Sequence, residues 1–157
     1  MGFLAESDGG LTVSSESFDY QKSVFAFIDV SCPHCREFHL RKLDEWNRQG
    51  VRVYFIPFMR DPMDKKTKVI MDDIFCADNN SERLDLILSA YINIKAYVVK
   101  GNSGSCGHKR ALLDSLYKIG MQYSLKGSPM FMNMVGDVYY GSASYEVAEI
   151  QTKKGVK

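Results

Sequence analysis

The sequence predicts an α/β fold in which helices flank a central mixed sheet. Three observations indicate this: a strand–helix–strand unit over residues 24–56, a helical pattern over about residues 63–123, and a strand hairpin after Pro129. A strand–helix–strand unit of this length implies a right-handed crossover and two parallel strands. The hairpin adds antiparallel strands, so the sheet is expected to combine both directions.

The first half of the chain supplies the strand–helix–strand unit. Residues 11–15 suggest a short edge strand, and residues 24–28 form an apolar run typical of a central strand covered on both faces. A helix is expected from Cys32 to Gly50, and its apolar side comprises Phe38, Leu40, Leu43 and Trp46. Residues 51–56 form the next strand, which Pro57 ends.

The second half is predicted to hold a helical insertion followed by the hairpin. Apolar stripes indicate three helices, the last ending at Gly120, and these stripes contain Val69, Ile70, Ile74, Leu84, Ile87, Leu88, Tyr91, Ile92, Leu112, Leu113, Leu116 and Ile119. Two strands surround a turn at residues 135–137, and residues 145–151 suggest a closing helix. We therefore expect a lead-in or linker remnant at residues 1–15, one domain at residues 16–152 and a disordered tail at residues 153–157.

Composition and charge exclude several classes of function. The chain has 157 residues, enough for one domain with its own core. With 20 basic and 19 acidic residues, it shows no electrostatic footprint for nucleic acid or anionic membranes. Its longest apolar stretch, residues 24–30, is interrupted by Asp29 and is too short to insert across a bilayer. Residues 1–5 do not resemble a signal peptide, so we expect that any such peptide has been removed.

The motif that carries chemistry is Cys32-Pro33-His34-Cys35, between the predicted central strand and its helix. Cys32 is expected at the N-cap, Pro33 at the first helical position and Cys35 at the third. Unpaired N–H groups and the positive end of the helix dipole lower the pKa of a thiol there, and a protonated His34 adds positive charge. Cys32 is then the nucleophile and Cys35 the resolving thiol, with no metal or organic cofactor.

The cysteines also allow other interpretations. A lone C-x-x-C fits half of a zinc site, whose other ligands would be Cys106 and His108, although the order of strand, motif and helix favours thiol chemistry. Cys76 and Cys106 either form a disulfide, worth about 3–4 kcal/mol by loop entropy, or are two buried reduced thiols. A disulfide would imply an oxidising compartment.

Several features follow the motif or precede it in a fixed order: Asp29 before it, His39 after it, the strand ending at Pro57, Cys76 with Ala77-Asp78, Cys106 after a polar loop, and Gly127-Ser128-Pro129 before the hairpin. In this order, over about residues 18–150, the chain resembles the catalytic domain of the bacterial DsbC/DsbG disulfide isomerases. The resemblance implies a thioredoxin-like fold with a helical insertion between its βαβ and ββα halves.

The resemblance also implies roles for particular residues. Cys32 would be an exposed nucleophile, and Cys76 and Cys106 would form the family's structural disulfide. Pro129 would be a cis-proline whose loop packs against the active-site disulfide, which leaves the backbone of Ser128 to pair with an extended client chain.

The chain departs from the family in two respects. We do not expect residues 1–157 to include the family's N-terminal dimerisation domain. The dipeptide Pro33-His34 is the one found in the oxidase DsbA, and Ser128 stands where threonine or valine is more usual.

The expected function is that of a periplasmic thiol-disulfide oxidoreductase, acting as an isomerase or reductase on unfolded or misoxidised secreted proteins. A membrane thiol-redox partner is expected to reset its active site. Two alternatives stay open: a DsbA-like oxidase, and a non-catalytic chaperone or scaffold in a secretion or conjugation system.

Overall fold

Five strands form one mixed sheet in the computed structural model, which describes residues 12–14, 22–61, 63–122 and 129–141. The strands are β1 (Thr12–Val13), β2 (Lys22–Ile28), β3 (Val51–Pro57), β4 (Met130–Asn133) and β5 (Val138–Tyr140). Their order is β1-β3-β2-β4-β5; β2 and β3 run parallel, and the other neighbouring pairs are antiparallel. The predicted parallel pair and hairpin are confirmed, and Thr12 and Val13 of the predicted lead-in are paired in the sheet.

The central position of β2 follows from its pairing on both edges. Val24, Ala26 and Ile28 are buried, while Phe25 and Phe27 are half-buried. Alternate residues of a strand point to opposite faces of the sheet. The side chains on one face of β2 are therefore fully buried, as the sequence predicts for both faces, whereas those on the other face are only partly buried.

One helical stretch follows β2 and consists of α1 (Pro33–Glu37), a π-helical turn (Phe38–Lys42) and α2 (Leu43–Arg48). The sequence predicts a regular helix here, and the π turn changes which side chains are buried because it accommodates an extra residue. Phe38 and Trp46 pack on Phe131 of β4, with ring centroids 4.9 Å away in each case. Leu40, assigned to the apolar side by its spacing, is exposed, and His39 is half-buried instead.

The predicted helical insertion lies between β3 and β4 and contains α3 (Lys65–Phe75), α4 (Asn80–Ile92) and α5 (Lys109–Gln122). Two 3-10 turns, Ile94–Ala96 and Asn102–Ser105, separate α4 from α5. The Asn79 side chain caps α4 by accepting the Glu82 N–H at 2.8 Å. α5 continues past Gly120, where the sequence predicts its end, because a single glycine is tolerated inside a helix.

The buried sides of these helices are narrower than the predicted stripes. Ile74, Ile87, Tyr91 and Leu113 are buried as expected. Other members of the stripes are exposed: Val69, Leu88, Ile92, Leu112 and Ile119. None of the helices in the described part of the chain has the length and apolarity needed to cross a membrane.

Buried polar contacts fix the start of α4 to the edge of the sheet. The Asn80 side chain accepts the Val13 N–H at 2.8 Å and donates to the Val13 carbonyl at 3.0 Å. The Arg83 Nε donates to the Thr12 hydroxyl at 2.8 Å. The far end of α4 reaches the C-x-x-C motif, so this helix links the sheet edge to the candidate site.

Some predictions concern residues outside the described ranges. They are most of the lead-in, Ser128, the closing helix at residues 145–151 and the tail at residues 153–157. The domain limits at residues 16 and 152 stay predictions for the same reason.

Candidate active site around Cys32 and Cys35

Cys32 caps the helical stretch, in the position that the sequence predicts. Its sulfur accepts the Cys35 N–H at 3.4 Å, and Pro33 is the first helical residue. The Cys32 N–H donates to the Asp29 carbonyl at 2.9 Å, and the Cys32 carbonyl accepts the Arg36 N–H at 3.0 Å. The sulfur therefore lies where N–H groups and the helix dipole favour a thiolate.

Both cysteines of the motif are buried thiols. Cys32 and Cys35 expose 2% and 0% of their surface, whereas Pro33 and His34 between them are exposed. The exposed nucleophile implied by the resemblance is therefore wrong for this structure. The reason is the N-cap geometry: the Cys32 side chain folds back over the first turn to accept the Cys35 N–H.

A groove of about 280 Å³ opens beside Cys32. One wall is the loop before α1, and the other is formed by residues 90–95 at the end of α4. Arg36 joins the two walls, because its Nε donates to the Tyr91 carbonyl at 2.6 Å. Ile92 is 60% exposed and gives this second wall an apolar edge. The groove therefore presents an apolar surface beside the Cys32 side chain.

Asp29 shapes the loop that carries Cys32. Its Oδ1 accepts the Ser31 N–H at 2.8 Å and the Ser31 hydroxyl at 2.6 Å. Its Oδ2 accepts the Arg60 N–H at 2.9 Å and lies 3.6 Å from Arg60 Nε. Arg60 in turn donates to both oxygens of Ser31 at 3.0 Å. Both carboxylate oxygens are thus engaged in holding the loop, a role that the sequence does not predict.

Tyr91 and His39 lie beside the motif, although the sequence singles out neither as a catalytic residue. Burial lowers the pKa of His39 to about 4, so its ring is neutral at pH 7. Burial also raises the pKa of Tyr91, and the nearby Cys35, Asp29 and Cys32 raise it further. The only local signal for Tyr91 is its hydroxyl, a polar group within an otherwise apolar stripe. Because a buried tyrosine hydroxyl usually finds a partner, such a residue points to a polar contact in the interior.

Pro129 is buried and directly precedes β4. Because β4 runs antiparallel to β2, with Met130 opposite Phe27, the start of β4 lies at the end of the sheet where β2 leads into the motif. The Pro129 carbonyl accepts the Gly141 N–H at 2.9 Å, which closes the hairpin. Ser128 lies outside the described residues, so its pairing with a client stays a prediction.

Cys76 and Cys106 are joined by a disulfide, with their Cα atoms 4.7 Å apart. Cys76 is the C-cap of α3 and Cys106 precedes α5, so the bond ties these helices together. A disulfide sulfur is not a thiolate ligand, so Cys106 cannot complete the alternative zinc site with His108. Among the described residues, no three side chains of His, Cys, Asp or Glu are grouped so as to hold a metal ion.

The sequence is similar to proteins of known activity. No family model matches it. It is 24% identical over 123 residues to the thiol:disulfide interchange protein DsbC of Pasteurella multocida. The aligned region covers 78% of this chain and 49% of that protein. The chain spans about half the length of the curated relatives it matches.

Solved structures match this chain over nearly its whole length. Oxidised BdbD from Bacillus subtilis matches with a TM-score of 0.67 at 12% identity, over 93% of this chain and 92% of that one. The thiol-disulfide exchange protein alpha-DsbA2 from Wolbachia pipientis matches with a TM-score of 0.61 at 13% identity, over 98% of this chain and 91% of that one. The predicted thioredoxin-like fold is thereby confirmed, with a structure similar to DsbA-like proteins and a sequence weakly similar to DsbC.

Proposed function

We propose that this protein is a thiol-disulfide oxidoreductase that acts on disulfides of secreted polypeptides. The observation that carries the proposal is the Cys32 sulfur at a helix N-cap, where it accepts the Cys35 N–H at 3.4 Å beside an open groove. A sulfur so placed favours its thiolate, the form that attacks disulfides. The similarity in sequence to DsbC supports the same chemistry.

In the proposed cycle, the Cys32 thiolate attacks one sulfur of a client disulfide. A bond forms between Cys32 and the client, the client's own S–S bond breaks, and its second sulfur leaves as a thiolate. An isomerase releases the client when this thiolate attacks elsewhere in the client. A reductase releases it when Cys35 attacks Cys32, which oxidises the active-site pair and leaves the client reduced by two electrons.

The client is proposed to pair, in an extended form, with the backbone of Ser128 ahead of a cis-Pro129. The position of Pro129 at the start of β4, at the same end of the sheet as the motif, supports this arrangement. Main-chain pairing of this kind tolerates many client sequences, because it reads backbone rather than side chains. It therefore suits an enzyme with varied clients.

The direction of the reaction has two candidates. We favour an isomerase or reductase, because the relatives that match in sequence are DsbC proteins. An oxidase of the DsbA type is the second candidate. It is favoured by the dipeptide Pro33-His34 and by the likeness of the fold to alpha-DsbA2 from Wolbachia pipientis.

The proposed setting is the periplasm, with unfolded or misoxidised secreted proteins as clients and a membrane thiol-redox partner that resets the active site. A disulfide between Cys76 and Cys106 supports an oxidising compartment. The proposed catalytic unit is the single domain at residues 16–152.

Two assays on the purified chain separate these candidates. An isomerase should reactivate scrambled ribonuclease in a glutathione buffer, and Cys32→Ala should abolish this activity. A DsbA-like oxidase should instead oxidise reduced ribonuclease rapidly without reshuffling the scrambled form, and its potential against glutathione should lie near the oxidising value of about −120 mV known for DsbA. A chain that does neither, and that glutathione does not oxidise, would contradict the proposed function.

Replacing His34 with alanine should make the active-site disulfide more reducing. A protonated histidine next to Cys32 stabilises its thiolate, and stabilising the thiolate favours the reduced pair. Loss of one pKa unit of stabilisation corresponds to a fall of about 30 mV in potential. Equilibration of the variant with glutathione at pH 7 measures this fall.

The matched control is His108→Ala, since His108 is also exposed but lies outside the motif. Its potential should equal that of the wild type. An unchanged potential in His34→Ala would remove this side chain from the mechanism.

A further inference from the structure

Two polar atoms beside the motif are buried without a partner. Within the described residues, neither the Tyr91 hydroxyl nor the His39 Nδ1 atom makes a hydrogen bond. The two rings are neighbours, with centroids 5.1 Å apart, and Tyr91 is 1% exposed. Buried polar groups in folded proteins are nearly always hydrogen-bonded, because an unpartnered group has lost water and gained nothing. A buried Tyr91 hydroxyl that makes no hydrogen bond therefore suggests a functional role.

Tyr91 and Cys32 line the same groove, and the Tyr91 hydroxyl contacts the side chain of Cys35. Burial raises its pKa well above the ordinary value, and the charges of Cys35, Asp29 and Cys32 raise it further. Contact with the Cys35 sulfur adds to this shift, although the contact falls outside strict hydrogen-bond geometry. The hydroxyl is therefore protonated at neutral pH and can act as a donor.

Neighbouring side chains hold Tyr91 in this position. Arg36 directly follows Cys35 and donates its Nε to the Tyr91 carbonyl at 2.6 Å. The His39 ring contacts both Tyr91 and Phe55, with centroid distances of 5.1 and 5.5 Å. Tyr91 is thus anchored at its backbone and packed along its ring, which fixes the hydroxyl next to the motif.

Asp29 is the other buried group that could assist Cys35, but its oxygens are already engaged. They accept hydrogen bonds from Ser31 and Arg60 at 2.6–2.9 Å. Asp29 is thus committed to holding the loop, and a carboxylate oxygen cannot donate a hydrogen bond to a sulfur. A thiolate at Cys35 needs a donor, and the Tyr91 hydroxyl can supply one.

We propose that the Tyr91 hydroxyl stabilises Cys35 during the resolving step by donating a hydrogen bond to its sulfur as the thiolate forms. This inference rests on the proposed function and adds a residue to the same site. In the resolving step, the Cys35 thiol gives up its proton to the departing client sulfur. A bond forms between Cys35 and Cys32, and the bond between Cys32 and the client breaks. The client leaves as a thiol, and the active-site pair becomes a disulfide.

The proposed hydrogen bond matters most when charge develops on Cys35. A thiol is a weak acceptor, whereas a thiolate is a strong one, so the donor stabilises the reacting state more than the resting dithiol. In the structure Cys35 is a thiol, and the Tyr91 hydroxyl makes no hydrogen bond. This agrees with the expectation that the bond forms only when Cys35 becomes a thiolate. Among the described residues, the other titratable or charged groups around the Cys35–Tyr91 contact include Cys32, Asp29, His39 and Arg36, and Lys95 lines the same groove.

The test is a single-turnover reaction of the reduced protein with oxidised glutathione, quenched with acid and followed by mass spectrometry. Wild type should pass through a transient glutathione adduct on Cys32. Tyr91→Phe should form this adduct at the wild-type rate but resolve it about tenfold more slowly, because it lacks a hydrogen bond to a charged group. Since the lost donor raises the pKa of Cys35, the rise of the resolving rate with pH should shift upward by about one unit.

Tyr117→Phe is the matched control. It also removes a buried tyrosine hydroxyl, one that donates to Asp72 at 2.8 Å within the helical insertion. It should resolve the adduct at the wild-type rate and with the wild-type pH profile. Tyr91→Phe removes an unpartnered hydroxyl, so its melting temperature should not fall.

Two results would overturn the inference. If wild type resolves the adduct and Tyr91→Phe does so at the same rate and with the same pH profile, the proposed function stands and the role of Tyr91 is lost. If wild type never forms an adduct on Cys32, the proposed function fails and the inference fails with it.

Discussion

Replacing Cys35 with alanine should turn the protein into a covalent trap for polypeptides that contain a disulfide. Cys32 keeps its place at the helix N-cap and can still attack, but the mixed disulfide then has no internal thiol to break it. We expect the adduct to last for minutes to hours, the range of uncatalysed disulfide rearrangement. Mass spectrometry of peptides from the acid-quenched adduct should locate the client on Cys32.

The matched variant is Cys32→Ala, which keeps the other sulfur of the motif. It should form no adduct, because Cys32 lines the groove beside the motif whereas the remaining Cys35 does not. Turnover of scrambled ribonuclease should fall at least about a thousandfold, as expected when a covalent mechanism loses its nucleophile. An adduct through Cys35, or the failure of Cys35→Ala to trap any client, would show that the two sulfurs do not have the roles proposed here.

The features that the sequence predicts correctly depend on residues that are close along the chain. The N-cap position of Cys32, with Pro33 opening the helix, follows from a pattern of four residues. The strand around Ala26 follows from an apolar run, and the β4–β5 hairpin follows from two strands and a short turn. The fold class then follows from the order of these elements, because few arrangements of layers can bury them.

The features that the sequence does not predict depend on contacts between segments that are distant along the chain. Arg60, which follows β3 along the chain, holds Asp29, and Arg36 contacts the end of α4, so both contacts join residues far apart in the sequence and leave no local signal. Periodicity places Tyr91 on an apolar stripe, which is correct, but it does not show that the hydroxyl faces the motif. The π turn likewise has no sequence rule, and it moves Leu40 to the surface. The site was therefore predictable as a motif, whereas its burial and supporting residues were not.

Breaking the disulfide between Cys76 and Cys106 should destabilise the fold strongly while leaving the active-site residues unchanged. The bond closes a loop with a sequence separation of 30, for which loop entropy predicts about 3–4 kcal/mol of stabilisation. Folded domains of this size are stable by only about 5–15 kcal/mol, so this is a large fraction. It corresponds to a fall of about 10 °C in melting temperature.

The cleanest measurement uses the variant Cys32→Ala/Cys35→Ala, in which Cys76–Cys106 is the remaining bond that a reductant can break. Urea unfolding with and without dithiothreitol should then differ by the full contribution of this bond. A chain with all four cysteines replaced by alanine should not respond to dithiothreitol, which controls for direct effects of the reductant. The closed loop also contains α4, so we expect its amide hydrogens to exchange faster once the bond is broken, because the two ends of the segment that carries α4 are then no longer joined to each other. A difference below about 0.5 kcal/mol between the two unfolding curves would contradict the loop-entropy argument, and would mean that the reduced unfolded chain keeps this loop compact without the bond.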